Sequence, residues 1–101
     1  MLSSDKEMSE AGLRQFIAKA LEKGWVREGF HSECERADRN ISDEDVCHGL
    51  SHKNWKLVTV EPSRTGGFKY LICTVDVEEE ELHLLVKPDT ETGNLKILTK
   101  Y

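Results

Sequence analysis

Leu13, Phe16, Ile17, Ala20 and Leu21 recur three and four residues apart, which puts them on one stripe of a helix. The stripe predicts an α-helix from Ser9 or Glu10 to Lys23, closed by Gly24, the residue type that most readily takes a left-handed stop. Ser4 and Glu7 also fit a capping box, which would start the helix earlier. Trp25 to Phe30 reads as a short connection of extended backbone. Ser32 to Arg39 predicts a polar second helix that offers only Cys34 and Ala37 for burial, ended by Asn40. Ser42 is an N-cap residue, and Asp43, Glu44 and Asp45 suit the positive end of a helix dipole. A third helix is therefore expected from Asp43 to Ser51, with Val46, Cys47 and Leu50 inward and Ile41 beside them.

Beyond Lys53 the period changes from helix to strand. Trp55–Glu61 is rich in β-branched and aromatic residues, and Phe68–Val77, Leu82–Lys87 and Asn94–Tyr101 read as the strands that follow it. Pro62–Gly67, the acidic tip Glu78–Glu80 and Pro88–Gly93 are the turns between them. Short loops favour sequential antiparallel pairing. Alternation is read as placing Leu71, Cys73, Val75 and Val77 on one face, beside Leu82, Leu84 and Val86, with Leu95 and Ile97 sharing a face of the last strand. The expected class is α+β: two to three N-terminal helices packed on one face of a four-stranded antiparallel β-meander. One domain over the whole chain is expected, with residues 1–8 as a flexible tail.

Composition narrows the function classes. With 33% charged and 38% hydrophobic residues the chain is folded rather than disordered. A formal net charge of -5 argues against a protein that coats nucleic acid, although a local basic site is compatible with it. No stretch approaches a membrane span, and Met1–Glu10 lacks the basic and apolar regions of a secretory signal. Three sparse cysteines, Cys34, Cys47 and Cys73, read as reduced thiols, so a cytoplasmic location without membrane attachment is expected.

The run Phe30–Leu50, FHSECERADRNISDEDVCHGL, carries the most specific pattern. It resembles a small bacterial family of unknown function with the motif H-x3-R-x3-R-G-I-S followed by an acidic helix start and a β-meander. His31, Arg39, Ile41 and Ser42 fall on that motif, Asn40 stands where Gly is usual, and Glu35 holds the middle Arg position with Arg36 one residue later. Trp55, Tyr70, Leu82 and Thr99 match the family's later strands. The family looks related to the RelE- and BrnT-type ribonuclease toxins. The resemblance implies a RelE/BrnT-like fold and an RNA-cleaving or ribosome-associated role in a toxin–antitoxin system, without a metal or other cofactor. In such cleavage a 2′-hydroxyl attacks the adjacent phosphate, with a base, a cation and an acid assisting. His31, Arg36, Arg39 and Tyr70 are the catalytic candidates, and Lys69, Thr99 and Tyr101 the nucleic-acid-binding ones. The plainer alternative pairs Arg36 and Arg39 with Glu33, Glu35 or Asp43 and leaves His31 capping a loop.

Two other chemistries match residues of the chain. His31 and Cys34, with Cys47, His48 and His52, are zinc-type ligands at finger-like spacing. Adjacent residues such as Cys47 and His48 diverge on a helix, so no metal is expected there. The acidic run Glu78–Glu81 suits either a solvated hairpin tip or a basic partner. A non-catalytic acidic module that binds a cognate protein, of antitoxin, immunity or inhibitor type, is the alternative function.

Overall fold

The computed structural model describes residues 7–28 and 41–101. The expected helix Ser32–Arg39, with His31, Arg36 and Arg39, lies outside them. The first described helix, α1, spans Glu10–Lys23. Its N-cap is Ser9, whose hydroxyl accepts from the Gly12 amide at 3.0 Å, and residues 7–9 are not helical; Ser4, the alternative cap, lies outside the described residues. Gly24 closes it at φ 73°, in the left-handed region. The next helix, α2, spans Asp43–Ser51 and opens on a capping box in which Ser42 and Asp45 satisfy each other's amides.

Among the described residues there are five strands: β1 Val26–Glu28, β2 Lys56–Pro62, β3 Phe68–Val75, β4 Glu81–Pro88 and β5 Leu95–Lys100. They form one sheet in the order β1-β5-β4-β3-β2. The expected antiparallel meander is present as β2 to β5, but the sheet is mixed and has a fifth strand. The connection after α1 contributes β1, which pairs parallel to β5 with Val26 opposite Leu95. Three residues are too few to show alternation, and the partner lies at the other end of the sequence.

Both helices pack on one face, α1 over β5 and α2 over β3. Leu13, Ile17 and Ala20 of α1 and Val46 and Leu50 of α2 meet Tyr70, Ile72, Leu82, Leu84, Val86, Leu95 and Ile97 there. The expected face of β3 is thereby corrected. Ile72 stands opposite Leu84, and Thr74 opposite Leu82, so Tyr70, Ile72 and Thr74 point inward while Leu71, Cys73 and Val75 point outward. Both sets are largely apolar, and only the pairing with β4 separates them.

Polar contacts tie each helix to the sheet. The Thr74 hydroxyl, buried on the inner face, donates to the Gly49 carbonyl of α2 at 2.8 Å. A Cβ on Gly49 would stand 2.6 Å from the Thr74 methyl carbon and 3.1 Å from the Val75 carbonyl, so α2 approaches β3 as closely as a glycine allows. On α1, the Arg14 guanidinium lies 4.0 Å from the ring centroid of Trp55 and donates to the Lys53 and Trp55 carbonyls at 3.0 and 2.9 Å. It fastens α1 to the entry of β2 through stacking as well as hydrogen bonds.

Gly49→Ala is expected to destabilise the protein. Its gain in helix propensity is at most about 1 kcal/mol, whereas forcing a methyl into a packed contact costs about 1–3 kcal/mol. Thr74→Val, which keeps the shape and removes the donor, should cost about 1 kcal/mol. Urea titration of both variants measures these differences, and a Gly49→Ala variant as stable as the natural protein would show that α2 does not sit this close.

Candidate functional site

The outer face of the sheet is built by the residues that alternation turns away from the helices, and no described element packs on it. Register sets them in rows across the strands. Lys56 stands opposite Cys73, Cys73 opposite His83, and His83 exchanges both backbone hydrogen bonds with Tyr101 at 2.7 and 3.0 Å. The next row is Thr59, Leu71, Leu85 and Thr99. Beyond it lie Glu61 opposite Lys69, and Lys87, Lys96 and Arg27 in register across β4, β5 and β1. Five cations, Arg27, Lys56, Lys69, Lys87 and Lys96, thus share a face with two carboxylates, Glu61 and Glu81.

Aromatic groups sit among these charges. The His83 and Tyr101 rings stack with centroids 5.0 Å apart and planes inclined by 12°. Lys69 Nζ lies 3.5 Å from Glu61, and Lys87 donates to the Thr65 hydroxyl of the β2–β3 turn. The Arg27 guanidinium folds back on the Gly24 carbonyl at 2.9 Å. Glu81 Oε2 lies 3.2 Å from His83 Nε2, and one donor atom each from Cys73, Glu81 and His83 gather within 4.8 Å of one another. Burial, followed by the Glu81 carboxylate, pushes the Cys73 thiol above its ordinary value, with Lys56 opposing. The thiol is therefore protonated at neutral pH and is not an activated nucleophile.

Three of the four sheet residues expected at a site share this face: Lys69, Thr99 and Tyr101. Tyr70 does not. It points inward, 2% exposed, and its hydroxyl accepts from the Met8 amide at 2.7 Å, which pins the chain ahead of α1. Burial raises its hydroxyl pKa. Adjacent residues on a strand take opposite faces, so Lys69 and Tyr70 do not serve one surface. His31, Arg36 and Arg39 lie outside the described residues. Of the zinc-type ligands on α2, Cys47 is exposed, and His48 and His52 have ring centroids 6.1 Å apart.

Sequence spacing alone does not signal the gathering of Cys73, Glu81 and His83. Glu81 and His83 have the i, i+2 spacing that shares a strand face, but Cys73 joins them only through the β3–β4 register.

The negative charge collects elsewhere. Asp45 Oδ1 accepts from the Val77 amide at 3.2 Å, which brings the first turn of α2 against the β3–β4 hairpin. Asp43 and Glu44 are exposed there, as are Glu78, Glu79 and Glu80. Asp76 organises the tip by accepting from the Glu78 and Glu80 amides, both at 2.9 Å, with Glu79 left-handed at φ 67°. His48 Nε2 approaches Glu79 at 3.7 Å, too far for a hydrogen bond.

Comparison with known proteins finds no match: no family model, no curated protein and no solved structure is significantly similar to the chain.

Asp45 gives the acidic end a pH dependence. The Ser42 amide first, then the Val77 amide and Ser42 hydroxyl, hold its carboxyl below the ordinary range, against partial desolvation and the charge of Asp76. A carboxyl whose folded pKa is depressed stabilises above its unfolded value, about 3.9, and loses that contribution as pH falls through the folded value. Asp45→Asn is therefore expected to melt below the natural protein at pH 7, with the gap closing in acid below pH ~4. A gap independent of pH in thermal melts would refute this role.

Proposed function

We infer that the chain is an RNA-directed domain of the toxin-related kind its His31–Ser42 motif resembles, and that RNA lies on the outer face of the sheet. The observation that carries the reading is the outer face itself: five cations interleaved with a stacked His83–Tyr101 pair on a surface that no described element covers. Flat sheets bearing aromatic rings and Lys or Arg suit unpaired bases, because rings stack on bases of any sequence while cations follow the phosphates. Separation of charge supports it as well. The net charge of -5 belongs largely to the far end, where Asp43, Glu44 and Glu78–Glu80 gather. A ribosome-associated or single-stranded RNA target is the class this surface fits. Cleavage would draw on His31, Arg36 and Arg39, while Tyr70 serves the core.

The gathered acidic end supports a second reading, a non-catalytic module whose basic protein partner docks on that end. The two readings use different surfaces and are separable by substitution.

The test is binding of a labelled, unstructured RNA followed by fluorescence anisotropy at several salt concentrations. Tyr101→Ala is expected to weaken binding by about 1–3 kcal/mol if its ring stacks on one base. Lys87→Glu/Lys96→Glu should weaken it further and flatten the salt slope by about 0.7 per lost phosphate contact. Glu78→Gln/Glu80→Gln should leave affinity unchanged or slightly raise it. Absence of binding at low salt, or equal binding by all variants, overturns the outer-face reading. Growth arrest on induced expression, lost in a His31→Ala/Arg36→Ala/Arg39→Ala variant at matched soluble levels, tests cleavage separately.

A further inference from the structure

The outer-face row also brings together donors of a different chemistry, with His83 shared between them and the stacked pair. We propose that Cys73, His83 and Glu81 form a mononuclear Zn2+ site, with the thiolate, one imidazole nitrogen and one carboxylate oxygen as ligands and a fourth position open to water or an exogenous ligand. Their donor atoms already lie within 4.8 Å of one another. In a tetrahedral zinc site with bonds of about 2.0–2.3 Å, ligand atoms stand roughly 3–4 Å apart. Small rotations of three side chains close the difference, and the backbone need not move.

The scaffold is suited to hold them. Cys73 and His83 are direct partners on β3 and β4, two strands that each have a neighbour on both sides. His83 sends both its backbone groups to Tyr101, so its pairing with Cys73 is of the non-hydrogen-bonded kind, where opposite side chains stand closest. Glu81 is two residues before His83 and shares its face. The Tyr101 ring stacked on His83 fixes the imidazole plane, so the ligand pays little ordering entropy. Sulfur, nitrogen and oxygen donors together suit Zn2+, a borderline-soft ion, better than Mg2+ or Ca2+.

Binding displaces the thiol proton of Cys73 to solvent and forms the Zn–S bond without any change of oxidation state. Three protein ligands with one position open is the arrangement of zinc that acts on a bound molecule rather than zinc that only staples a fold. The site lies across the sheet from α2, so it is distinct from any cluster built on Cys47, His48 and His52.

The proposal is tested on the full chain, reduced and stripped of metal, by titration with Co2+ followed optically and with Zn2+ followed by calorimetry. One equivalent should bind, with a thiolate-to-cobalt charge-transfer band in the near ultraviolet. Cys73→Ser should abolish the band, and His83→Ala and Glu81→Gln should each weaken Zn2+ by at least about tenfold, since even outer-shell losses cost that much. Cys34→Ser/Cys47→Ser should retain band and affinity. No binding, binding without the sulfur band, or a band lost in the Cys34/Cys47 variant and kept in Cys73→Ser overturns the site. Should Cys73→Ser fail to fold by circular dichroism, the His83 and Glu81 variants decide. RNA binding does not enter either readout, so this inference and the proposed function fail independently.

Discussion

The Thr74–Gly49 contact is the point on which the architecture turns. Thr74 is a polar residue on the inner face of a central strand, and a buried hydroxyl without a partner would cost about 1–3 kcal/mol. The Gly49 carbonyl satisfies it, and the missing side chain at Gly49 lets the helix come near enough to do so. Once Thr74 faces α2, strand geometry sends Tyr70 and Ile72 inward with it and Cys73 outward. A shift of one residue would reverse every one of these assignments. The contact between one helix and one strand therefore selects the chemistry displayed on the far side of the sheet.

The same dependence separates what was legible in the chain from what was not. The helices Glu10–Lys23 and Asp43–Ser51 were legible to within a residue because their signals are local: a periodic stripe, a Ser N-cap and, for the first, a Gly stop. The four meander strands were legible from composition and turns. The inward face of β3 was not, since Leu71, Cys73 and Val75 make as good an apolar row as Tyr70, Ile72 and Thr74. Strand β1 escaped because its partner, β5, lies at the opposite end of the sequence. Residue type and family likeness point to Lys69, Thr99 and Tyr101, which share the outer face, and equally to Tyr70, which is a core residue.

Charge is distributed by the same register. Glu78, Glu79 and Glu80 fall in a hairpin turn, and Asp45 draws that turn to the start of α2. Lys87, Lys96 and Arg27 fall at aligned positions of three strands. A modestly acidic chain thereby becomes a polar object, with a negative end and a sheet face of mixed but predominantly positive character. Such an object orients in the field of a highly charged partner before it touches it.

The two ends of the sheet carry a consequence for how anything can attach. Among the described residues the sheet stops at β1, only three residues long, and at β2, which is irregular between Leu57 and Thr59 and ends in Pro62. A short border and a kinked, proline-terminated one are poor templates for an incoming strand. Main-chain zippering, the least selective way for one polypeptide to recognise another, is thus disfavoured at both margins. Recognition falls to side chains, and so to the small number of residues that the pleat leaves facing outward.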